Sequence, residues 1–287
     1  MSSTSARRHG TAFDDVAAEY DRSRPAYPGE LVDRACRVAG LGSGDRVLEV
    51  GCGTCQLSRD LLARGLRVTA LEPGKNLLAL AEHNLEGLGR AEFVNARFEQ
   101  APLPPGHFRA VFSASTFHWL DPELSWQKAA RVLARGGSLA LLQYCGLEEE
   151  RSRRDLEEQL AILARNVPEV AAKWPRYWDL DTIAAGAEQR RENVSEVWAW
   201  IGSHDVARSH AGRLFCDVRV ACAPQLLEQT ADEVTALLRT ASFYARISPD
   251  QRRALARETA ELYERLGRPI RSSTVAVLVT ARRASGV

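Results

Sequence analysis

Short segments of continuous apolar sequence alternate with segments of helical periodicity between residues 45 and 143. The apolar segments predict strands, and the periodic segments predict helices. The predicted strands are 45–50, 66–72, 91–96, 108–115 and 137–143, and the predicted helices between them are 57–64, 76–85 and 122–134. Strands that alternate with helices form parallel sheets, and continuously apolar strands are covered on both faces. The sequence therefore predicts an α/β fold with a doubly wound, mostly parallel sheet.

The regular alternation ends after residue 143. Residues 147–212 are charged and helical in pattern, whereas strand signals return at 214–223 and 273–283. Further helices are predicted at 13–20, 28–38, 231–241 and 249–266. We expect a flexible N-terminal tail (1–12) and a single domain (13–287), in which residues 147–212 form an inserted helical cap.

Charge and polarity limit the partners of the chain. The formal net charge is +1, so no strong field attracts nucleic acid or a membrane surface. No apolar run approaches the roughly 18 residues that span a bilayer, and the polar N-terminus lacks the apolar segment of a secretory leader. We expect a cytoplasmic protein, a monomer or homodimer, that acts on a small molecule and binds neither nucleic acid nor membrane.

Residues 47–60 read VLEVGCGTCQLSRD and allow two interpretations. Cys52 and Cys55 have the C-x-x-C spacing of redox pairs and of half a zinc site. A structural zinc site needs four ligands, and no second pair of this spacing exists in the sequence. A redox pair that opens a helix is compatible with the position but has no other support. We therefore predict free thiols and no metal.

The second interpretation is a ligand-binding loop. Gly51 directly follows a predicted buried strand, and the next helix starts near Gln56, so the chain must turn sharply at Gly51 and Gly53. A ligand can then approach the main chain and the start of the helix. About twenty residues later, Glu72 ends the second strand, where a carboxylate accepts hydrogen bonds from both hydroxyls of a ribose.

Two nucleoside cofactors use such a loop. The dinucleotide pattern G-x-G-x-x-G needs a third glycine at position 56, which is Gln56. A pyrophosphate also disfavours a carboxylate such as Glu49 just before the loop. S-adenosylmethionine carries a sulfonium and an ammonium group, which suit a nearby acid. The residues therefore favour S-adenosylmethionine over NAD.

Several motifs together resemble the class I S-adenosylmethionine-dependent methyltransferases, and within them the bacterial small-molecule branch described as trans-aconitate-methyltransferase-like. The resemblance covers most of the chain. It is carried by FDDVAAEYDRSRPAYP (13–28), VLEVGCGTCQLS (47–58), TALEPGKNLLALA (69–81), FSASTFHWLDPE (112–123), ARVLARGGSLALL (130–142), LLRTASFYARISPDQRRAL (237–255) and VAVLVTARR (275–283). It implies a seven-stranded sheet with an antiparallel last strand. One departure is Cys55, where the family usually has glycine; we expect cofactor binding to survive it.

The resemblance also implies the residues that bind the cofactor. Glu49 is expected at the loop and the cofactor's amino end, Glu72 at the ribose, and Leu77 against the adenine. Arg97 and Phe98 would surround the adenine, although Phe98 fits a core aromatic equally well. Tyr20 and Arg24 would close over the methionine end, although Arg24 could equally lie on a solvated turn. The remaining expected cofactor residues are Gly51, Cys52, Gly53, Pro73, Ser113 and Ala114.

His118 follows the fourth strand, at the strand ends where open α/β sheets bind ligands. There it would face the transferred methyl group as a general base; a histidine that bonds main chain and shapes the pocket fits equally well. Tyr27, Trp119, Trp174, Trp178 and Trp200 are candidates for the acceptor side. For the tryptophans, core packing is the competing interpretation.

The predicted function is methyl transfer to an oxygen, nitrogen or carbon nucleophile of a small molecule, a carboxylate among the options. One alternative is an enzyme of the same fold that uses the cofactor without methyl transfer, for example by cyclising it. Another is a cofactor-binding module without catalysis. The tetrapeptide N-P-P-[YFW] of base-amino methylation is absent after the fourth strand.

Overall fold

A computed structural model describes residues 13–202 and 211–286. The predicted tail (1–12) and residues 203–210 of the predicted cap lie outside the described residues. The strands are β1 (Arg46–Val50), β2 (Arg67–Leu71), β3 (Ala91–Val94), β4 (Phe108–Ala114), β5 (Leu133–Gly146), β6 (Phe215–Gln229) and β7 (Ile270–Arg283). The α-helices are α1 (Ala17–Ser23), α2 (Gly29–Ala39), α3 (Gln56–Ala63), α4 (Lys75–Asn84), α5 (Pro122–Val132), α6 (Arg153–Asn166), α7 (Pro168–Ala171), α8 (Leu180–Glu188), α9 (Val194–Gly202), α10 (Ala211–Leu214), α11 (Ala231–Arg239) and α12 (Pro249–Leu266).

All seven strands belong to one sheet with the order β3-β2-β1-β4-β5-β7-β6. Strands β1 to β5 are parallel to one another, and β7 runs antiparallel to both β5 and β6. The mostly parallel sheet and its antiparallel last strand are confirmed. The strand order reverses beside β1, so a crevice opens between the carboxyl ends of β1 and β4.

Both faces of the sheet are covered, as the continuously apolar strands predict. On one face, α2, α3 and α4 pack on Val47, Val68 and Phe112. On the other, α5, α8 and α9 pack on the sheet, with Trp126 and Trp198 among the buried side chains. Because successive strand residues point to opposite faces, each central strand contributes to both cores.

The predicted cap, residues 147–212, contributes to two different layers. Helices α8 and α9 pack against the sheet. Helices α6 and α7 instead pack with α11 and α12 in a separate apolar cluster that includes Ile162, Leu255 and Leu262. We call α6, α7, α11 and α12 the C-terminal helical cluster. It lies between the end of β5 and the start of β7 in the chain and buries its own core.

One strand is longer than predicted. The sequence signal for β6 ends at residue 223, before Pro224, but the strand continues to Gln229. A proline is tolerated there because β6 is the edge strand, and a missing N–H on its free side breaks no hydrogen bond in the sheet. Pairing with the whole of β7, from Gln229 opposite Ile270, holds the extension in place.

No described helix combines the length and the apolar content that a bilayer span requires.

Candidate functional site

A glycine loop joins β1 to α3 at the carboxyl end of the sheet. Its φ angles are +68° at Gly51 and +57° at Gly53, in the region that glycine adopts without strain. A Cβ atom at Gly51 would overlap the side chain of Thr116, which follows β4. Turn geometry and the close approach of a second segment therefore both require glycine at position 51.

Cys55 occupies a third left-handed position in the loop. Its φ is +70°, and its N–H donates to the carbonyl oxygen of Cys52 at 2.8 Å. Both cysteines are buried, and neither forms a disulfide. Within residues 13–202 and 211–286, no group of three or more His, Cys, Asp or Glu side chains could hold a metal ion. The left-handed backbone gives a physical reason for the glycine that the resembling family usually has here.

Glu72 follows β2, and two main-chain groups fix its carboxylate. Oε2 accepts a hydrogen bond from Gly53 N at 3.1 Å, and Oε1 accepts one from Gly74 N at 2.9 Å. The residue is only 5% exposed. Burial raises the pKa of this carboxyl to about 7, and the two N–H groups oppose that rise. A carboxylate offers about four lone-pair sites, so about two remain for further donors.

Glu49, on β1, lies beneath the loop. Ser58 on α3 donates a hydrogen bond from its hydroxyl to the carboxylate Oε2 of Glu49. The residue is 1% exposed, and burial raises its pKa to about 8. Glu49 connects β1 to α3 and does not line the cleft described next, so its expected contact with the cofactor's amino end stays a prediction.

A cleft lies between the loop and the end of β4. Eight of the residues expected at the cofactor line it: Tyr20, Gly51, Gly53, Glu72, Pro73, Leu77, Arg97 and Phe98. Phe98 is also buried in the core, so both interpretations of this residue hold. Five of the expected residues contribute no lining: Arg24, Glu49, Cys52, Ser113 and Ala114.

The segment before α1 covers the cleft. Asp14 Oδ1 accepts hydrogen bonds from Asn76 N at 2.8 Å and Leu77 N at 3.1 Å, at the start of α4. The Phe13 ring lies 5.6 Å from Tyr20 and 6.3 Å from Trp119. Sequence analysis identified neither Phe13 nor Asp14, because an acidic residue 62 positions away carries no local sign that it caps α4.

Arg24 lies behind Tyr20. Its guanidinium is centred 5.2 Å from the Tyr20 ring, and its Nη2 donates to the carbonyl oxygen of Thr240 at 2.5 Å. The Nε–H of Arg24 is buried and makes no hydrogen bond within the described residues. Burial raises the pKa of Tyr20, and the Arg24 charge opposes the rise. Arg24 is half-buried, and the planar guanidinium of arginine suits a carboxylate.

Comparison with known proteins identifies the family. The profile of the methyltransferase domain family matches residues 48–141. An uncharacterized methyltransferase of Mycobacterium tuberculosis is 34% identical over 142 residues, which are 48% of this chain and 54% of that protein. Residues 48–141 of this chain belong to the methyltransferase domain family. The matched segment contains the glycine loop, Glu72 and the end of β4.

Solved structures share the fold over almost the whole chain. A protein from Anaeromyxobacter dehalogenans, assigned as a type II methyltransferase, is 22% identical and has a TM-score of 0.59 over 90% of this chain and 97% of that one. The cyclase SpnF is 15% identical and has a TM-score of 0.52 over 96% of this chain and 95% of that one. The methyltransferase spans about half the length of the mycobacterial relatives that it matches. The trans-aconitate-like branch stays a prediction.

On the acceptor side of the methyltransferase, Tyr27 contacts the cleft through Ser115. The Tyr27 hydroxyl lies 2.6 Å from Ser115 Oγ, and Ser115 lines the cleft with φ = +51°. Burial raises the pKa of Tyr27, so its hydroxyl stays protonated. The Tyr27 ring stacks on Tyr144 at 4.9 Å, and Tyr144 donates to the carbonyl oxygen of Ala26 at 2.7 Å. The cleft residues Glu99, Ser115, Thr116 and Leu120 were also missed by sequence analysis.

His118 and Trp119 lie in a short 3-10 helix, Phe117–Trp119, after β4. Trp119 lines the cleft, whereas His118 does not. The His118 ring lies 4.8 Å from the Trp119 ring. The expected catalytic role of His118 stays a prediction, and the structure leaves it one residue away from the cleft lining.

The three tryptophans expected at the acceptor side lie in two places. Trp174 packs edge-on against Phe243, 5.8 Å away, in the C-terminal helical cluster. Trp178 and Trp200 stack on each other at 5.4 Å against the sheet core. None of the three lines the cleft. This separation follows from the division of residues 147–202 between two layers.

Proposed function

We propose that this methyltransferase binds S-adenosylmethionine in the cleft and transfers its methyl group to a small-molecule acceptor. The observation that carries the proposal is the Glu72 carboxylate, held by Gly53 N–H and Gly74 N–H at the wall of a cleft. Both donors are main-chain groups, so the carboxylate is fixed before any ligand arrives. Fixed acceptors of this kind suit the two hydroxyls of a ribose.

The two ends of the cleft suit the two ends of the cofactor. Leu77 and Phe98 offer apolar surface for the adenine at one end. At the other, Tyr20 lines the cleft and Arg24 lies behind it with an unused Nε–H, which suits the carboxylate of the methionine moiety. The main chain of the glycine loop at Gly51 and Gly53 lines the cleft beside Glu72.

When bound, S-adenosylmethionine supplies an electrophilic methyl group and a neutral leaving group. The chain's task is then to align the acceptor and exclude water, since alignment alone accelerates such displacements strongly. Phe13, Tyr20 and Trp119 cover the cleft and exclude water. The Tyr27–Ser115 hydroxyl pair can hold an acceptor group by hydrogen bonds. An acceptor that is already ionised needs no base, whereas a neutral one loses a proton, for which His118 is the proposed recipient.

Two measurements test the proposal. Isothermal titration calorimetry should show micromolar binding of S-adenosylmethionine and S-adenosylhomocysteine, about −8 kcal/mol, and no binding of NADH. Candidate acceptors should then be screened with cofactor labelled in its methyl group, with mass spectrometry of the products. Binding of NADH in place of S-adenosylmethionine would overturn the proposed cofactor site.

Product mass separates methyl transfer from the alternatives. SpnF, a cyclase, shares this fold, so the fold alone does not decide the reaction. An acceptor that gains the labelled methyl group supports transfer. Consumption of the cofactor with no labelled acceptor supports cyclisation of the cofactor, and cofactor binding without any product in a broad screen supports a non-catalytic module.

A further inference from the structure

A second cavity lies inside the C-terminal helical cluster. Its volume is about 100 Å³, and it shares no lining residue with the cofactor cleft. It is bounded by α6, α11, α12 and residues 272–274 at the start of β7. Small apolar cavities of this order, about 150 Å³, bind a benzene ring. The cofactor site described above does not account for this cavity, which is therefore a candidate for a second binding site.

No charged side chain lines this cavity in the described part of the chain. Leu156, Leu160 and Trp174 supply apolar walls. The lining residue Thr274 has an unpaired polar atom: its Oγ1 is buried and has no hydrogen-bond partner among the described residues. A buried hydroxyl without a partner costs free energy, so a ligand that pairs with it gains affinity. The lining therefore suits an uncharged ligand with one hydrogen-bonding group.

The cavity lies on the same edge of the sheet as the cofactor cleft. Thr274 pairs with Gly146 at the carboxyl end of β5, and β5 is the only strand between β4 and β7. Ala114 pairs with Leu142, whereas Thr274 pairs with Gly146 further along β5. Two strand spacings of about 4.8 Å and about three residues along the strands therefore separate Thr274 from Ser115, which lines the cleft, by about 14 Å.

Tyr177 forms part of the cavity wall at the end of β5. It lines the cavity, and its ring lies where a Cβ atom of Gly146 would stand. Glycine at position 146 therefore lets an aromatic ring pack directly on the end of β5. The Tyr177 hydroxyl lies 3.5 Å from Trp174 Nε1, which ties the two rings together.

We propose that this cavity binds the apolar body of the methyl acceptor, and that the acceptor is an uncharged molecule about 14 Å long. One of its polar groups pairs with Thr274, and its nucleophilic end reaches Ser115 beside the cofactor. A carboxylate in the cavity would lose its hydration without a cationic partner, which disfavours anionic acceptors. The inference rests on the proposed function, because it names the substrate class of that reaction.

Fluorine NMR with three probes that differ in one group tests the cavity. We expect 4-fluorophenol to bind the full-length wild-type protein more tightly than 4-fluorotoluene, and 4-fluorobenzoate to show no saturable shift. Saturable benzoate binding as tight as that of the phenol would overturn the proposed substrate class. Equal binding of phenol and toluene would overturn the role of Thr274.

Variants locate the binding. Leu160→Trp places a larger side chain in the cavity, and Ala161→Trp places the same side chain on the exposed side of the same helix. We expect Leu160→Trp to weaken phenol binding at least about tenfold and Ala161→Trp to leave it unchanged. Thr274→Val should weaken phenol binding about threefold to tenfold without changing toluene binding. Equal effects of the two tryptophan variants would place the phenol outside this cavity.

Calorimetry with S-adenosylmethionine on the same proteins separates the two proposals. Normal cofactor binding with no probe binding overturns the acceptor cavity and leaves the cofactor site standing. Probe binding without cofactor binding overturns the proposed function. Any acceptor found by the labelled-methyl screen should be uncharged. With that acceptor, kcat/KM should fall in Leu160→Trp and stay unchanged in Ala161→Trp. An unchanged kcat/KM in Leu160→Trp would contradict the inference.

Discussion

In the cofactor cleft, main-chain geometry places the functional groups, whereas in the C-terminal helical cluster the side chains form the site. Gly51, Gly53 and Ser115 have positive φ angles, and main-chain N–H groups fix Glu72. The cavity near Thr274 instead depends on leucine and aromatic side chains from four segments. The cofactor site should therefore be sensitive to substitutions that alter the backbone conformation, and the acceptor site to substitutions that change side-chain volume.

The largest effect is expected from Gly51→Ala. The new Cβ meets the Thr116 side chain and must adopt φ = +68°, which costs about 1–2 kcal/mol for a left-handed residue and about 1–3 kcal/mol for overpacking. We expect cofactor affinity to fall at least about a hundredfold, measured by calorimetry. Gly106→Ala is the matched control, since Gly106 has φ = +64° and no atom within 4 Å of the added Cβ. Equal losses of affinity in the two variants would refute the role of the Thr116 contact.

Glu72→Ala should weaken S-adenosylmethionine binding by about tenfold to a hundredfold. A hydrogen bond to a charged acceptor contributes about 1.5–3 kcal/mol, and water compensates for part of the loss. Calorimetry gives the affinity, and Glu92→Ala on exposed β3 serves as the control. Unchanged affinity would place the ribose elsewhere along the sheet.

Glu49→Gln should make unfolding less dependent on pH. Burial raises the pKa of Glu49 from 4.5 to about 8, so the folded state holds a proton that the unfolded state releases. The contribution of this carboxyl is full below pH 4.5 and is lost as pH rises to about 8. Glutamine keeps the Ser58 hydrogen bond without this loss, so we expect the variant to gain at least about 1 kcal/mol over wild type between pH 5 and pH 8. Urea unfolding of both proteins at pH 5 and pH 8 measures this gain. A difference in the free energy of unfolding between variant and wild type that is the same at both pH values would contradict the prediction.

Gly186→Ala tests side-chain packing in the layer of α8 and α9 on the sheet, outside both the cofactor cleft and the C-terminal helical cluster. Gly186 lies in α8, and an added Cβ would overlap the Trp200 ring. Overpacking costs about 1–3 kcal/mol, and the better helix propensity of alanine returns about 1 kcal/mol. We expect a net loss of about 1 kcal/mol in urea unfolding with unchanged cofactor affinity. A large loss of affinity would show that this layer and the cofactor cleft are not independent.

The smallest effect concerns Cys55. Its φ of +70° favours glycine, so Cys55→Gly should be more stable than Cys55→Ala by about 1 kcal/mol. Both variants lose the buried thiol, so their difference isolates the backbone. Alanine equal to or better than glycine in thermal unfolding would show that the loop relaxes around position 55.

Sequence analysis predicted the sheet and much of the cofactor cleft because those signals are local. Gly51, Gly53 and Glu72 each follow a strand at a fixed spacing, and the chain path there is set by the adjacent residues. Asp14 was missed because its partners Asn76 and Leu77 lie about sixty residues away. Phe13 was missed because its contact with Trp119 joins still more distant parts of the chain, and a single sequence contains no sign of either contact.

The acceptor side could not be predicted in the same way. Residues 147–212 were expected to form one cap, but amphipathic helices show which face is buried and not which layer buries it. Trp174 and Trp200 both lie in the segment predicted as one cap, yet they pack in different clusters. The cavity near Thr274 is formed only when α6, α11 and α12 meet, so no single segment predicts it.

The antiparallel direction of β7 has a consequence for how this molecule can evolve. Gln229, the last residue of β6, pairs with Ile270, the first residue of β7. The segment that joins the two strands therefore begins and ends at neighbouring positions on the carboxyl edge of the sheet. The segment between them can change in length at little entropic cost, since loop closure depends only on the logarithm of loop length. No strand beside the cofactor has to shift its register when this happens. Selection for a new acceptor should therefore accumulate substitutions and insertions at residues 230–269 and leave residues 46–116 almost unchanged.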